Sequence, residues 1–284
     1  MTRPDVTQIW IEAPASERER LVAELYACGT LGLEERDDGL VAYFPSLEPQ
    51  DPVLEAIAAL ADADLAVRVG APTRVAPTDW EVEWRRGLAP RLVAGLWIRP
   101  SWCASQGQPE LCIDPQQAFG SGEHATTRIA LELLLAVLRP EDRVLDVGTG
   151  SGVLALGALR QGAHAAVAFD LDFAACHNAR DNARSNGLPL PLFCGTLAAL
   201  SPGRRFDLVA ANLLWAELEP WVPRVADHAR REVIVAGPLA RERDRVCARF
   251  ESQGLALGDE RTESQSGDDW WGARFHRATP PGRR

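Results

Sequence analysis

Hydrophobic and polar positions follow one rhythm up to about residue 75 and another beyond residue 125. In the front stretch, Val6–Glu12 alternates as a half-buried strand does. Ala15–Cys28 repeats with helical spacing, with Leu21, Leu25 and Cys28 on one face and Gly29 as the stop. Leu31–Glu35 and Gly39–Phe44 flank Asp37-Asp38-Gly39, a hairpin signal, and are followed by a helical pattern at Pro52–Ala63 and a strand pattern at Asp64–Val69. This order predicts a small α+β domain of the ferredoxin-like kind over 1–75. Two prolines at Pro72 and Pro77 then introduce a linker and a short helix, Trp80–Gly87, within 76–90.

Pro90–Pro100 and Pro109–Asp114 read as β structure, and from Thr126 strands and helices alternate. Helices are predicted at Thr126–Leu138, Gly152–Gln161, Phe173–Asn186, Pro220–Ala229 and Leu239–Gln253. Strands are predicted at Arg143–Val147, Ala165–Phe169, Leu190–Cys194, Phe206–Ala211 and Glu232–Ala236, with a final β region through Phe275. Repeated βα units imply a doubly wound, Rossmann-like parallel sheet with helices on both faces, over 91–278. The tail, 279–284, reads as disordered.

Composition narrows the class. The 284 residues carry a formal net charge of −10, and every cation among the 30 Lys plus Arg is arginine. Up to Thr78 there are fourteen acids against six arginines; the remainder is nearly balanced. An acidic front domain is a poor partner for phosphate backbones, so no direct nucleic-acid binding is expected, whereas a basic protein suits it. The six cysteines have no metal-ligand spacing and read as reduced thiols; no metal is expected. No apolar run reaches membrane-spanning length and no signal-peptide core opens the chain, which points to a cytoplasmic protein.

The candidate chemistry sits between a predicted strand and helix, at Gly148-Thr149-Gly150-Ser151-Gly152. Glycines there let the backbone turn sharply and approach a ligand, and a helix N-terminus follows. Asp170 ends the next strand, about 20 residues on, where an acid can accept both hydroxyls of a ribose. A dinucleotide fingerprint would put its third glycine at Val153. The spacing here is GxGxG preceded by Asp146, which suits S-adenosylmethionine, a ligand with a ribose and no pyrophosphate. Asp146 can order the turn and meet the cofactor's ammonium. A dinucleotide enzyme and a purely structural turn remain the alternatives at this point. Asp172 reads as the N-cap of the helix from Phe173. Ahead of the sheet, Ala118-Phe119-Gly120-Ser121-Gly122-Glu123-His124-Ala125-Thr126-Thr127 brings an aromatic, two glycines, a histidine and two threonines to a helix start. The threonines can cap that helix or bind a ligand, and His124 reads as a hydrogen-bonding fixture.

AFGSGEHATTRIALELL, then VLDVGTGSGVLALGAL, then FDLVAANLL resemble the PrmA family, bacterial methyltransferases of the ribosomal stalk-base protein, large-subunit protein eleven. The likeness runs over roughly 78–275. It implies a class I methyltransferase domain, S-adenosylmethionine as cofactor, and a basic ribosomal protein of the large subunit as substrate, with the front domain recognising that substrate. By the same resemblance Thr127 contacts the cofactor, Gly148 meets its amino-acid portion, Asp170 holds the ribose and Asn212 stands beside the methyl group. Gly150 and Phe119 belong to the same two motifs. Ser121 departs from the family's threonine, and Gly237-Pro238-Leu239 stands where Gly-Ile-Leu is common.

Asn212 and Leu213 follow the strand Phe206–Ala211, on the rim where open α/β sheets bind ligands. The Asn212 amide oxygen and the Leu213 carbonyl can accept hydrogen bonds from an amine and aim its lone pair at the methyl carbon. Leucines in the two positions after Asn212 favour an sp³ amine over a planar amide or base. The activity implied is N-methylation of lysine side chains or an N-terminal α-amine. The alternatives are another protein or a small amine as acceptor, or an adaptor that binds cofactor without turnover. Trp215, Trp221, Trp270 and Trp271 are candidates for a substrate channel or for core packing.

Overall fold

The computed structural model describes residues 6–36, 38–63, 67–75, 88–114, 120, 122–201 and 203–277, and divides into two compact units, Met1–Gly87 and Leu88–Arg284. Phe119, Ser121, most of the predicted linker with its short helix, and the tail lie outside the described residues.

In the first unit, β1 (Val6–Glu12), α1 (Ala15–Ala27), β2 (Gly32–Arg36), β3 (Gly39–Pro45), α2 (Pro52–Ala63), β4 (Arg68–Val69) and β5 (Thr73–Val75) follow in order. The sheet runs β2-β3-β1-β4, with β5 also on β1, and every pairing is antiparallel. Alternation explains the register: Thr7, Ile9 and Ile11 of β1 turn inward. The two isoleucines meet Leu21 and Leu25 of α1, Phe44 of β3 and Ile57 of α2. Thr7, the polar member of that row, accepts a hydrogen bond from the Leu47 N–H at 2.9 Å.

The second unit opens with a small sheet of β6 (Arg91–Val93), β7 (Leu96–Arg99) and β8 (Glu110–Cys112). There follow α3 (Ala125–Val137), β9 (Arg143–Val147), α4 (Val153–Arg160), β10 (Ala165–Asp170), α5 (Phe173–Ser185), β11 (Leu192–Cys194), β12 (Phe206–Asn212), α6 (Trp215–Leu218), α7 (Val222–His228), β13 (Ala229–Leu239), α8 (Arg243–Glu251), β14 (Leu255–Gln265) and β15 (Asp268–Arg277). Strands β9 to β15 form one sheet in the order β11-β10-β9-β12-β13-β15-β14. Successive residues go to opposite faces. Val144, Leu208, Ala210 and Ile234 enter one apolar cluster with α3 and α4, and Leu145, Val209, Val233 and Val235 enter another with α7 and α8. A sheet buried on both faces is the reason its strands are continuous apolar runs.

The sheet is parallel from β11 to β13, and β15 runs antiparallel to β13. That departs from a wholly parallel expectation. The cause is local: Ser266 and Gly267 both take positive φ, 55° and 87°, the geometry of a two-residue hairpin loop, so β14 and β15 must pair as a hairpin. Strand β13 also begins earlier than expected, at Ala229, because Arg230, Arg231 and Glu232 form its polar end.

Candidate active site

The order of strands reverses at β9, with β10 on one side and β12 on the other, and a crevice opens there at the carboxyl ends of the strands. A cleft of about 440 Å³ occupies it. Gly148 and Gly150 form one wall, Asp170 and Asp172 a second, and Asn212, Leu213, Leu214 and Glu217 a third; Gly120, His124, Thr126 and Trp270 close it on the α3 side.

The glycine turn is held from three directions. The N–H groups of Gly148 and Thr149 donate to the Phe169 carbonyl at 3.1 and 3.0 Å, which ties the turn to the end of β10. The Gly150 N–H donates to Asp170 Oδ2 at 2.9 Å, and the Asp172 N–H to Asp170 Oδ1 at 3.0 Å. Each carboxylate oxygen can accept further bonds, so Asp170 can still receive a pair of hydroxyls. Asp172 caps α5 by accepting from Ala174, as its position after β10 suggested.

Asp146 lies beneath the turn, fully buried and outside the lining of the cleft. Its Oδ2 accepts from the Thr149 hydroxyl at 2.7 Å and the Ala155 N–H at 3.1 Å, while Oδ1 is buried without a partner. Burial pushes its carboxyl up to about 6; the bonds from Thr149 and Ala155 oppose this and the negative charge of Asp170 adds to it. A carboxyl raised in the fold favours folding when protonated. Its contribution is therefore complete below its ordinary value of 3.8 and lost as pH rises through about 6. Asp146→Asn keeps an acceptor for Thr149 and Ala155 and removes the charge. Melting curves from pH 4 to 8 should show the wild type losing on the order of 2–3 kcal/mol relative to this variant between pH 4 and 6. Parallel curves would contradict the assignment.

The helix start distinguishes its two threonines. His124 caps α3, its Nδ1 accepting from the Thr126 N–H at 3.4 Å and lying 2.9 Å from the Thr126 hydroxyl. Successive helical residues point about 100° apart, so Thr126 faces the cleft and Thr127 turns inward, fully buried. Thr127 instead receives the Asn212 Nδ2 on its hydroxyl at 3.4 Å, which leaves Asn212 Oδ1 to accept from a ligand. Burial and the neighbouring Arg128 lower the His124 pKa, so its ring is neutral at pH 7.

Leu213 continues from β12, its N–H donating to the Ala236 carbonyl at 3.0 Å. Gly237 packs directly against it at φ 106°; a side chain there would overlap the Leu213 carbonyl oxygen. Gly237→Ala therefore has to displace the Asn212-Leu213 backbone or strain its own, at about 1–3 kcal/mol. The activity that the family resemblance implies should fall at least tenfold in this variant with its fold retained by circular dichroism; an unchanged rate would mean that the Leu213 carbonyl takes no part.

Of the four tryptophans, Trp270 lines the cleft and meets the His124 ring edge-on at 4.7 Å. Trp215 and Trp271 are buried in the core and Trp221 packs against it. One group escaped the sequence reading: Asn178, Asn182 and Asn186, four residues apart on α5 and at its end. The Asn182 side chain accepts from the Asp114 N–H at 3.0 Å and donates to the Ser151 carbonyl at 2.9 Å. Asn178 donates to the Asp114 carbonyl at 2.7 Å, and Asn186 bonds both backbone groups of Cys112. At the other end of the same connection, the Ser151 hydroxyl donates to the Gly120 carbonyl at 2.7 Å. The segment ahead of α3 is thus pinned at both ends to the glycine turn and α5. The i, i+4, i+8 spacing of asparagines was the available signal.

A mixed sheet in this strand order, a GxGxG turn and an acid at the end of the next strand define an S-adenosylmethionine-dependent methyltransferase of the Rossmann-like class. Comparison with known proteins sharpens the class. The family model for ribosomal protein L11 methyltransferases (PrmA) matches residues 4–277, and the chain belongs to that family. Among its relatives, the ribosomal protein L11 methyltransferase of Sorangium cellulosum is 35% identical over 265 residues, covering 85% of this chain and 82% of its own. That of Thermus thermophilus is 38% identical over 218 residues, covering 76% and 77%. The crystal structure of a ribosomal protein L11 methylase from Lactobacillus delbrueckii subsp. bulgaricus aligns at a TM-score of 0.60 with 28% identity, over 66% of this chain and 98% of that one.

Proposed function

We propose that this chain transfers methyl groups from S-adenosylmethionine to amino groups of ribosomal protein L11, on lysine side chains, the N-terminal α-amine or both. The observation that carries the reading is the charge of the cleft. Its described lining holds three carboxylates, Asp170, Asp172 and Glu217, no arginine, and one histidine kept neutral by burial. A pyrophosphate would be repelled there; a sulfonium cofactor and an ammonium-bearing substrate are attracted.

The residues fit the cofactor. The glycines at 148 and 150 give it close backbone approach, Asp170 is positioned to hold the ribose hydroxyls, and buried Asp146 places negative charge under its amino-acid portion. Thr127 acts through Asn212, which its hydroxyl orients. Phe119 belongs to the same site by family resemblance and lies outside the described residues. S-adenosylmethionine, when bound, supplies a methyl group on positively charged sulfur, open to attack by a neutral amine.

Asn212 Oδ1 and the Leu213 carbonyl accept the amine's hydrogens and turn its lone pair towards that methyl. An α-amine, with pKa about 7.7–8.0, is neutralised at pH 7 for roughly 1 kcal/mol, and a lysine at about 10.4 for roughly 4.6 kcal/mol. Desolvation of the amine on entering the cleft lowers the second cost, so the proton leaves to water and no strong base is required.

In the first unit, the antiparallel order β4-β1-β3-β2 with two helices supports a ferredoxin-like domain, with the linker beginning near residue 76. Its fourteen acids against six arginines suit a basic ribosomal protein, which we take it to present to the cleft. A cytoplasmic location follows from that substrate. None of the described helices is long and apolar enough to cross a membrane.

Incubation with methyl-labelled S-adenosylmethionine and total ribosomal proteins tests this reading. Label should enter the L11 band. Label in a different band would refute the substrate, and label in none would favour a cofactor-binding adaptor.

A further inference from the structure

We propose that a second cavity, at the opposite end of the large sheet, is a binding site for a small phosphate-bearing anion. The cavity measures about 380 Å³ and is lined by five arginines, Arg139, Arg230, Arg231, Arg274 and Arg277, together with Glu232 and His276. It lies where β13 begins and β15 ends, with Arg139 from the turn between α3 and β9. Glu232 and Gly237 are five residues apart on β13, so the two sites stand about 17 Å apart along the strand.

Four of the five guanidiniums are held before any ligand arrives. Arg231 donates to Asp142 at 2.5 Å and to the Val137 carbonyl at 3.1 Å. Arg274 donates to Glu232 at 3.0 Å and to Asp259 at 2.9 Å. Arg277 donates only to carbonyls, those of Ala229 at 3.1 Å and Ala226 at 2.6 Å. Arg230 reaches Asp207 at 3.7 Å.

Donors then outnumber acceptors. Each guanidinium carries five N–H donors. Among the described residues, no carboxylate pairs with Arg139 or Arg277, and the five arginines exceed the four acids paired around them, Asp142, Asp207, Glu232 and Asp259, by one charge. Glu232, its one acid, is buried and engaged by Arg274 and Arg231. The Nδ1 of His276 is buried without a partner and adds one further polar atom. Several forked donors converging on a concavity match the oxygens of a phosphate group, which can accept from more than one arginine at once.

A small ligand is favoured over a nucleic-acid strand. Asp142, Asp207 and Asp259 ring the arginines, and the chain as a whole carries −10, so an extended polyanion would meet repulsion as soon as it left the cavity.

Calorimetric titration of the full chain with inorganic pyrophosphate tests the site, with chloride matched for ionic strength. Saturable one-to-one binding is expected, weakening as salt is added. Arg139→Glu and Arg277→Gln should each raise the dissociation constant at least tenfold and leave methyl transfer unchanged when pyrophosphate is absent. Arg139 is exposed and no other side chain depends on it, so that variant retains the fold even if Arg277→Gln does not. The site would be refuted by no saturable binding, by unchanged affinity in Arg139→Glu, or by displacement of pyrophosphate with S-adenosylmethionine. An oligouridine that displaces pyrophosphate and binds more tightly than it would likewise refute it, since the cavity would then take a nucleic-acid strand.

Discussion

Asp170→Ala should raise the dissociation constant for S-adenosylmethionine by about 10²–10³-fold, roughly 3–4 kcal/mol. Two effects combine. On the proposed reading the carboxylate accepts both ribose hydroxyls, and bonds to a charged acceptor are the strong ones. It also receives the Gly150 and Asp172 N–H groups, so its removal leaves one donor of the glycine turn and one at the start of α5 unsatisfied and lets this wall of the cleft relax. Asp170→Asn, which keeps one acceptor oxygen, should fall between the two. Calorimetry with S-adenosylhomocysteine as a stable ligand separates binding from turnover. A loss below threefold in Asp170→Ala would show that the ribose lies elsewhere.

Asn212→Ala should do the converse: kcat falls by about 10²–10³ while cofactor affinity stays within about threefold. The Asn212 amide is fixed by its bond to buried Thr127, and its oxygen faces the cleft at the end of β12. On the proposed mechanism, losing it removes one of two acceptors that orient the attacking amine, a loss of alignment that costs rate more than binding. Thr127→Val tests the same chain of contacts one step back. It should lower kcat by less, because Asn212 remains and only its orientation loosens. Full turnover in Asn212→Ala with intact cofactor binding would remove Asn212 from the mechanism.

The second unit was legible because its parallel strands are short apolar runs bounded by glycine or a charged residue, and β9 has the same limits in sequence and structure. What escaped was set by long-range pairing. Strand β13 starts with Ala229-Arg230-Arg231-Glu232, which reads as surface until β15 is seen beside it. The helix expected from Leu239 starts at Arg243, because Leu239 still pairs with Trp270 and a 3₁₀ turn fills the gap.

The site shows the same division. Gly148, Gly150, Asp170 and Asn212 occupy one cleft wall or another because each sits at a strand end, a place that sequence spacing specifies. Which of two adjacent threonines faces that cleft depends on the phase of α3, and sequence carries no signal for it. Asn182 looks like a solvent-facing helix residue until Asp114, 68 positions earlier, is found against it. The arginine cavity draws on three separate segments, at 139, 230–232 and 274–277, each of which reads alone as ordinary surface charge.

The most direct test of the central claim is the intact mass of purified ribosomal protein L11 after incubation with this enzyme and S-adenosylmethionine. The account predicts gains in whole methyl increments, none when the amines of L11 are first blocked by acetylation, and a strongly reduced gain with Asn212→Ala. Equal gains on blocked and unblocked L11 would contradict it, since the acceptor would then not be an amine.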